Sequence, residues 1–145
     1  MTRRVFTIGY EQSTVPDVVA ALTAAGVELV VDVRAVAASR RPGFSKTALA
    51  GALREAGIGY EHLRALGTPK EGRDAAKRGD QATLERVYAG QLELPEAQAA
   101  AAILLDRIDA QPTAILCYER EPADCHRTLL IAAVARDAKV VDLFA

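Results

Sequence analysis

Val5-Phe6-Thr7-Ile8-Gly9, Thr14-Val15-Pro16-Asp17 and Glu28-Leu29-Val30-Val31-Asp32-Val33 follow one another along the chain, and together they decide the fold class. The first block is a short apolar run, residues 5–8, closed by a glycine, as a buried strand would be. The second has the marks of a helix start: a capping hydroxyl, an early proline and an acid in the first turn. Val18, Val19, Leu22 and Ala25 keep helical spacing up to Gly26, a natural stop. The third block is a dense β-branched run that predicts a strand buried on both faces. Strand, helix and strand in this order make a βαβ unit.

Working outward, residues 34–45 contain Gly and Pro and predict a loop. Ser45 stands where it would cap a helix reaching about Ala56, with Gly57 as its end. Residues 58–62 read as a short third strand. Residues 64–80 hold Gly67, Pro69, Gly72 and Gly79 among five basic residues, which predicts a mobile loop. Asp80 opens a helical stretch that breaks at Leu94-Pro95 and resumes over 97–108. A fourth strand is expected over 113–118, a helix from Asp124 or nearby to about Asp137, and a closing strand over 139–143. The expected fold is therefore a single three-layer α/β domain, residues 1–145, with a mainly parallel sheet of about five strands and helices on both faces.

Composition agrees with this and excludes several classes of function. At 145 residues, 50% hydrophobic and 26% charged, the chain fits one ordinary globular domain. A net charge of −1 excludes a protein that is basic all over, while leaving room for local patches. Two cysteines argue against a disulfide scaffold. The N-terminal apolar run is too short for a signal peptide, and no stretch approaches the roughly 20 apolar residues of a membrane span. No membrane partner and a cytoplasmic location are the expectations.

In open parallel sheets ligands bind beyond the carboxyl ends of the strands, near helix N-termini. Gly9 and Tyr10, Asp32 and Arg34, His62, then Cys117, Tyr118 and Glu119 all fall on that edge, and Cys125-His126-Arg127 opens the last long helix. Both cysteines and both histidines thus share one predicted edge. A helix start with adjacent positive charge favours thiolate, so Cys125 fits a nucleophile with His126 as its base. A small hydrophobe packed inward, with His126 capping a loop, is the reading the residues favour over it. The arginine that phosphatase-like chemistry needs six residues after the cysteine is missing; Ile131 stands there after Cys125, and Ala123 after Cys117. Arg127 combines a forked cation with a helix N-terminus, which suits an anion site or a salt bridge to Glu119 or Asp32.

Residues 34–46 carry Arg34, Arg40, Arg41 and Lys46 with no acid, and residues 64–78 carry five bases against Glu71 and Asp74. Two such runs on one edge predict a positive rim. Cys117, Cys125, His126 and His62 have the ligand types for zinc but match no close metal-ligand spacing, so neither a metal nor a cofactor is expected. There is no GxGxxG, Walker loop or GxSxG.

Thr7-Ile8-Gly9-Tyr10, Asp32-Val33-Arg34 with Ser39-Arg40 and Phe44, Gly57-Ile58-Gly59-Tyr60, and Leu116-Cys117-Tyr118-Glu119 leading to Cys125-His126-Arg127 resemble the domain of unknown function 488 family. The resemblance covers about residues 5–135. It implies an α/β fold and candidate site residues Gly9, Asp32, Arg34, Ser39, Arg40, Cys117, Glu119, Cys125, His126 and Arg127, and it implies no reaction. Three departures stand out: Tyr10-Glu11 where members commonly have His-Ser, Ala37 in place of a proline, and Gly67-Thr68 in place of a Gly-Gly pair. The leading expectation is a pocket lined by Arg34, Arg40 and Arg127 for a small anionic ligand or nucleic acid. A cysteine-dependent enzyme and a non-catalytic interaction subunit are the alternatives, and the sequence sets no oligomeric state.

Overall fold

The computed structural model describes residues 3–121 and 126–145. Five strands, β1 (Arg4–Gly9), β2 (Leu29–Asp32), β3 (Gly59–His62), β4 (Thr113–Cys117) and β5 (Lys139–Leu143), form an all-parallel sheet in the order β3-β2-β4-β1-β5. Around it stand helices α1 (Val15–Ala24), α2 (Lys46–Glu55), α3 (Lys70–Lys77), α4 (Gln81–Leu92), α5 (Pro95–Ala110) and α6 (His126–Val134), with one 3-10 turn at Arg64–Leu66. The expected α/β architecture is present. Among the described residues no helix is long and apolar enough to cross a membrane.

Strand side chains alternate between the two faces, and each set meets its own helices. Phe6, Ile8, Val30 and Leu116 pack with Val18 and Leu22 of α1 and Leu49 and Leu53 of α2. Val5, Val31, Ile115 and Cys117 face Tyr88 of α4, Leu104 and Ile108 of α5, and Leu130 and Ile131 of α6. Both faces of the sheet are thus covered, as a parallel sheet requires.

The βαβ unit forms as its residues predict. Thr14 is the N-cap of α1 and its hydroxyl accepts from the Asp17 N–H at 3.3 Å. Ser45 holds the N-cap position of α2, but its hydroxyl does not cap; it accepts from the Ser39 N–H at 3.1 Å and closes the preceding loop on itself. The helix expected from Asp124 has its start outside the described residues.

Residues 64–80 correct the expectation of a mobile loop. They hold the 3-10 turn and all of α3. Gly72 is read as a breaker in the sequence, yet it lies buried inside α3. A Cβ there would stand 2.4 Å from Thr68 Cγ2 and 3.3 Å from Val87 of α4, so the glycine lets α3 press against its neighbours. Asp80 then caps α4, its carboxylate accepting from the Thr83 N–H at 3.1 Å and the Thr83 hydroxyl at 2.6 Å. Tertiary packing overrides the local breaker signal here.

The connections explain where a site belongs. On one face α1 carries the chain from β1 past β4 to β2; on the other, α6 carries it from β4 past β1 to β5. The chain leaves these two neighbouring strands in opposite directions, and a crevice opens beyond their carboxyl ends.

Candidate functional site

Two buried clusters frame that crevice. On the α1 and α2 side, Asp32 ends β2 fully buried and Arg34 follows at 6% exposure. Arg34 Nε donates to Oδ1 at 2.9 Å and Nη2 to Oδ2 at 2.7 Å, while the Arg34 backbone N–H donates to Oδ1 at 3.0 Å. The Tyr60 hydroxyl completes the carboxylate's shell at 2.5 Å from Oδ2. Burial and the neighbouring carboxylate both push the Tyr60 phenol above its ordinary range. Burial opposes the charge on Arg34, but the bonds to Asp32 outweigh it and raise its pKa further. The remaining nitrogen, Nη1, donates to the Tyr10 hydroxyl at 3.1 Å and the Phe44 carbonyl at 2.7 Å. Tyr10 stacks on Phe44 with centroids 4.3 Å apart. Arg34 thus ties the loop after β2 to β1.

On the other side Arg127 is fully buried. Its Nη1 donates to the Glu119 carbonyl at 2.6 Å and approaches Cys117 Sγ at 3.0 Å, and Nη2 donates to the Arg120 carbonyl at 3.0 Å. These bonds hold the chain after β4 in a tight curve over the end of β1. Gly9 makes that approach possible, since a Cβ at position 9 would fall 1.7 Å from the Glu119 carbonyl oxygen. Cys117 is disulfide-bonded and is not a free thiol. His126 Nε2 donates to the Val33 carbonyl at 2.9 Å, and its ring packs edge-on against Tyr88 at 5.1 Å. Burial pushes the His126 pKa down to about 4, so the ring is neutral near pH 7. Nε2 then carries the proton, since the Val33 carbonyl can only accept.

Between the clusters lies a cleft of about 910 Å³. Arg40 and Arg41 enter it from the loop after β2, and Arg73 and Lys77 from α3. Among the described residues Glu11 and Glu119 are its carboxylates, and Tyr10 and Tyr118 line it with their rings. Arg41 donates to the carbonyls of Tyr10 and Ser13 and lies over the Phe44 ring, so it fixes the loop on which Arg40 projects. Arg73 donates to the Thr68 carbonyl at 3.0 Å. Thr68 also lines the cleft, and its hydroxyl is buried with no hydrogen-bond partner among the described residues.

A model for the family described as "Domain of unknown function DUF488" matches residues 14–134. The chain belongs to the DUF488 family. No curated protein matches it. Of the residues singled out by the DUF488 resemblance, Arg34, Ser39, Arg40, Cys117, Glu119 and His126 come together on the cleft. Asp32 and Gly9 stand beneath them as supports. Arg127 is not among the described residues that line the cleft; its guanidinium donates to the Glu119 and Arg120 carbonyls, and Asp32 is paired with Arg34 instead. Ser39 is a turn residue whose hydroxyl accepts from the Arg41 N–H at 3.1 Å. Cys125, the proposed nucleophile, lies outside the described residues. Among those described, no group of three or more His, Cys, Asp or Glu is placed to hold a metal ion.

The sequence reading placed Tyr10 and Tyr118 on this edge and Arg41 in a basic run without choosing them as site residues, and it did not single out Glu11, Thr68, Arg73 or Lys77. The signals were present: rings directly after two strand ends, and a positive excess over 64–78. What no pattern supplied was the packing of α3 that turns Arg73 and Lys77 toward the loop after β2.

Proposed function

We propose that this DUF488 protein binds a small anionic, phosphate-bearing ligand in the cleft beyond β1 and β4. The observation that carries this reading is convergence: Arg40 and Arg41 from one segment and Arg73 and Lys77 from another line one cavity, against two carboxylates among the described residues. Arg40 and Lys77 are exposed on its rim and supply the mobile charge. Arg41 is half-buried and already oriented by backbone carbonyls, which lowers the ordering cost of holding a ligand. Arg34, which the sequence puts in the same role, is a structural cation here, because Asp32 neutralises it.

Isothermal titration with inorganic pyrophosphate and ribose 5-phosphate, at low and moderate salt, tests the proposal. Arg40→Ala and Lys77→Ala should each weaken binding roughly five- to tenfold, the equivalent of about 1 kcal/mol per exposed charge-assisted contact. The melting temperature should not change. Equal affinity in wild type and the double variant, or binding indifferent to salt, refutes it.

A further inference from the structure

The cleft is not uniformly basic, and its asymmetry says more about the occupant. Its cations come from the loop after β2 and from α3, whereas Tyr118, Glu11 and Glu119 come from the turns that follow β1 and β4. Tyr118 is 45% exposed, so one face of its ring is open to the cleft. It is also held in place: its edge meets the Tyr10 ring at 5.4 Å and 82°, and Tyr10 is itself locked between Phe44 and Arg34. A braced ring that still faces solvent in a cleft is a stacking platform. The neighbouring loop adds Val36, 56% exposed and also lining the cleft. The carboxylates beside Tyr118 accept hydrogen bonds and would repel a second phosphate from that end. One end therefore suits a phosphate, and the other a planar ring that carries N–H or O–H donors.

We infer that the ligand is a nucleoside monophosphate, its phosphate on Arg40, Arg73 and Lys77 and its base on Tyr118. This rests on the anion-binding reading and narrows it. The volume fits a mononucleotide, since pockets of roughly 300–1,000 Å³ enclose ligands of that size. Glu11 is placed to accept from a sugar hydroxyl or a base amino group, with its Oε1 already receiving the Arg120 N–H at 3.1 Å.

Titration with AMP, GMP, CMP and UMP, beside ribose 5-phosphate and a short single-stranded oligonucleotide, separates the two levels of the proposal. At least one nucleotide should bind about tenfold or more tighter than ribose 5-phosphate, as one base–aromatic stack is worth about 1–3 kcal/mol. Tyr118→Ala should bring that nucleotide down to the ribose 5-phosphate level and leave ribose 5-phosphate itself unchanged; Tyr118→Phe should keep the preference. The exposed ring makes both variants safe for folding, which an unchanged melting temperature verifies. Equal binding of ribose 5-phosphate and every nucleotide overturns the nucleotide inference and leaves the anion site standing. A preference for the oligonucleotide over all mononucleotides also overturns it. Failure of every phosphate-bearing probe to bind overturns both.

Discussion

Replacing Asp32 by Asn changes no volume and removes one charge from the best-buried ion pair in the described structure. The carboxylate receives Arg34 Nε, Nη2 and the backbone N–H, together with the Tyr60 hydroxyl. Whichever way the Asn amide is turned, only one acceptor oxygen remains, and an NH2 group faces at least one guanidinium N–H. Arg34 stays 6% exposed and charged, with no counterion. Breaking a buried pair from one side costs about 3–5 kcal/mol. Domains of this size are stable by about 5–15 kcal/mol, so the loss is a large part of the whole. It corresponds to a fall in melting temperature of roughly 10 °C. Urea unfolding followed by far-UV circular dichroism measures it, and the slope with denaturant should stay constant. Asp137→Asn is the control: its bond to Arg3 is 3.2 Å long and the Asp137 side chain is 66% exposed, so solvent screens the pair and its loss should be small. If Asp32→Asn is no more destabilising than Asp137→Asn, the reasoning about this pair is wrong.

Two more consequences concern the ends of β1 and α6. Gly9→Ala places a methyl group 1.7 Å from the Glu119 carbonyl oxygen, and the loss in unfolding free energy should be about 3 kcal/mol or more; a melting temperature within about 2 °C of wild type would contradict the close approach. His126 has a folded pKa of about 4, below its ordinary 6.5, so the fold favours the neutral ring. Its contribution is fully present above about pH 6.5 and is lost as pH falls from there toward 4, by up to about 3 kcal/mol. Urea midpoints measured across that window should fall for the wild type and stay flatter in His126→Gln.

The sequence by itself determined the strands, most of the helices and the edge of the sheet on which the candidate site residues fall. These are local matters: β-branched runs such as residues 28–33, the Thr14 cap and the strand–helix alternation each encode their outcome within a few residues of chain. It also placed positive charge on that edge. Tertiary structure alone decided which charges remain available to a ligand. Arg34 and Arg127 look like anion-binding residues in one dimension, yet Asp32, Tyr10 and three backbone carbonyls consume their donors once the chain folds. Arg73 and Lys77 lie in a stretch that reads as a mobile loop, and they line the cleft from a helix that Gly72 lets pack closely against Thr68 and α4. The physical reason is the same in each case. A guanidinium's availability depends on neighbours far away in sequence, and burial drives most donors to find an acceptor within the fold.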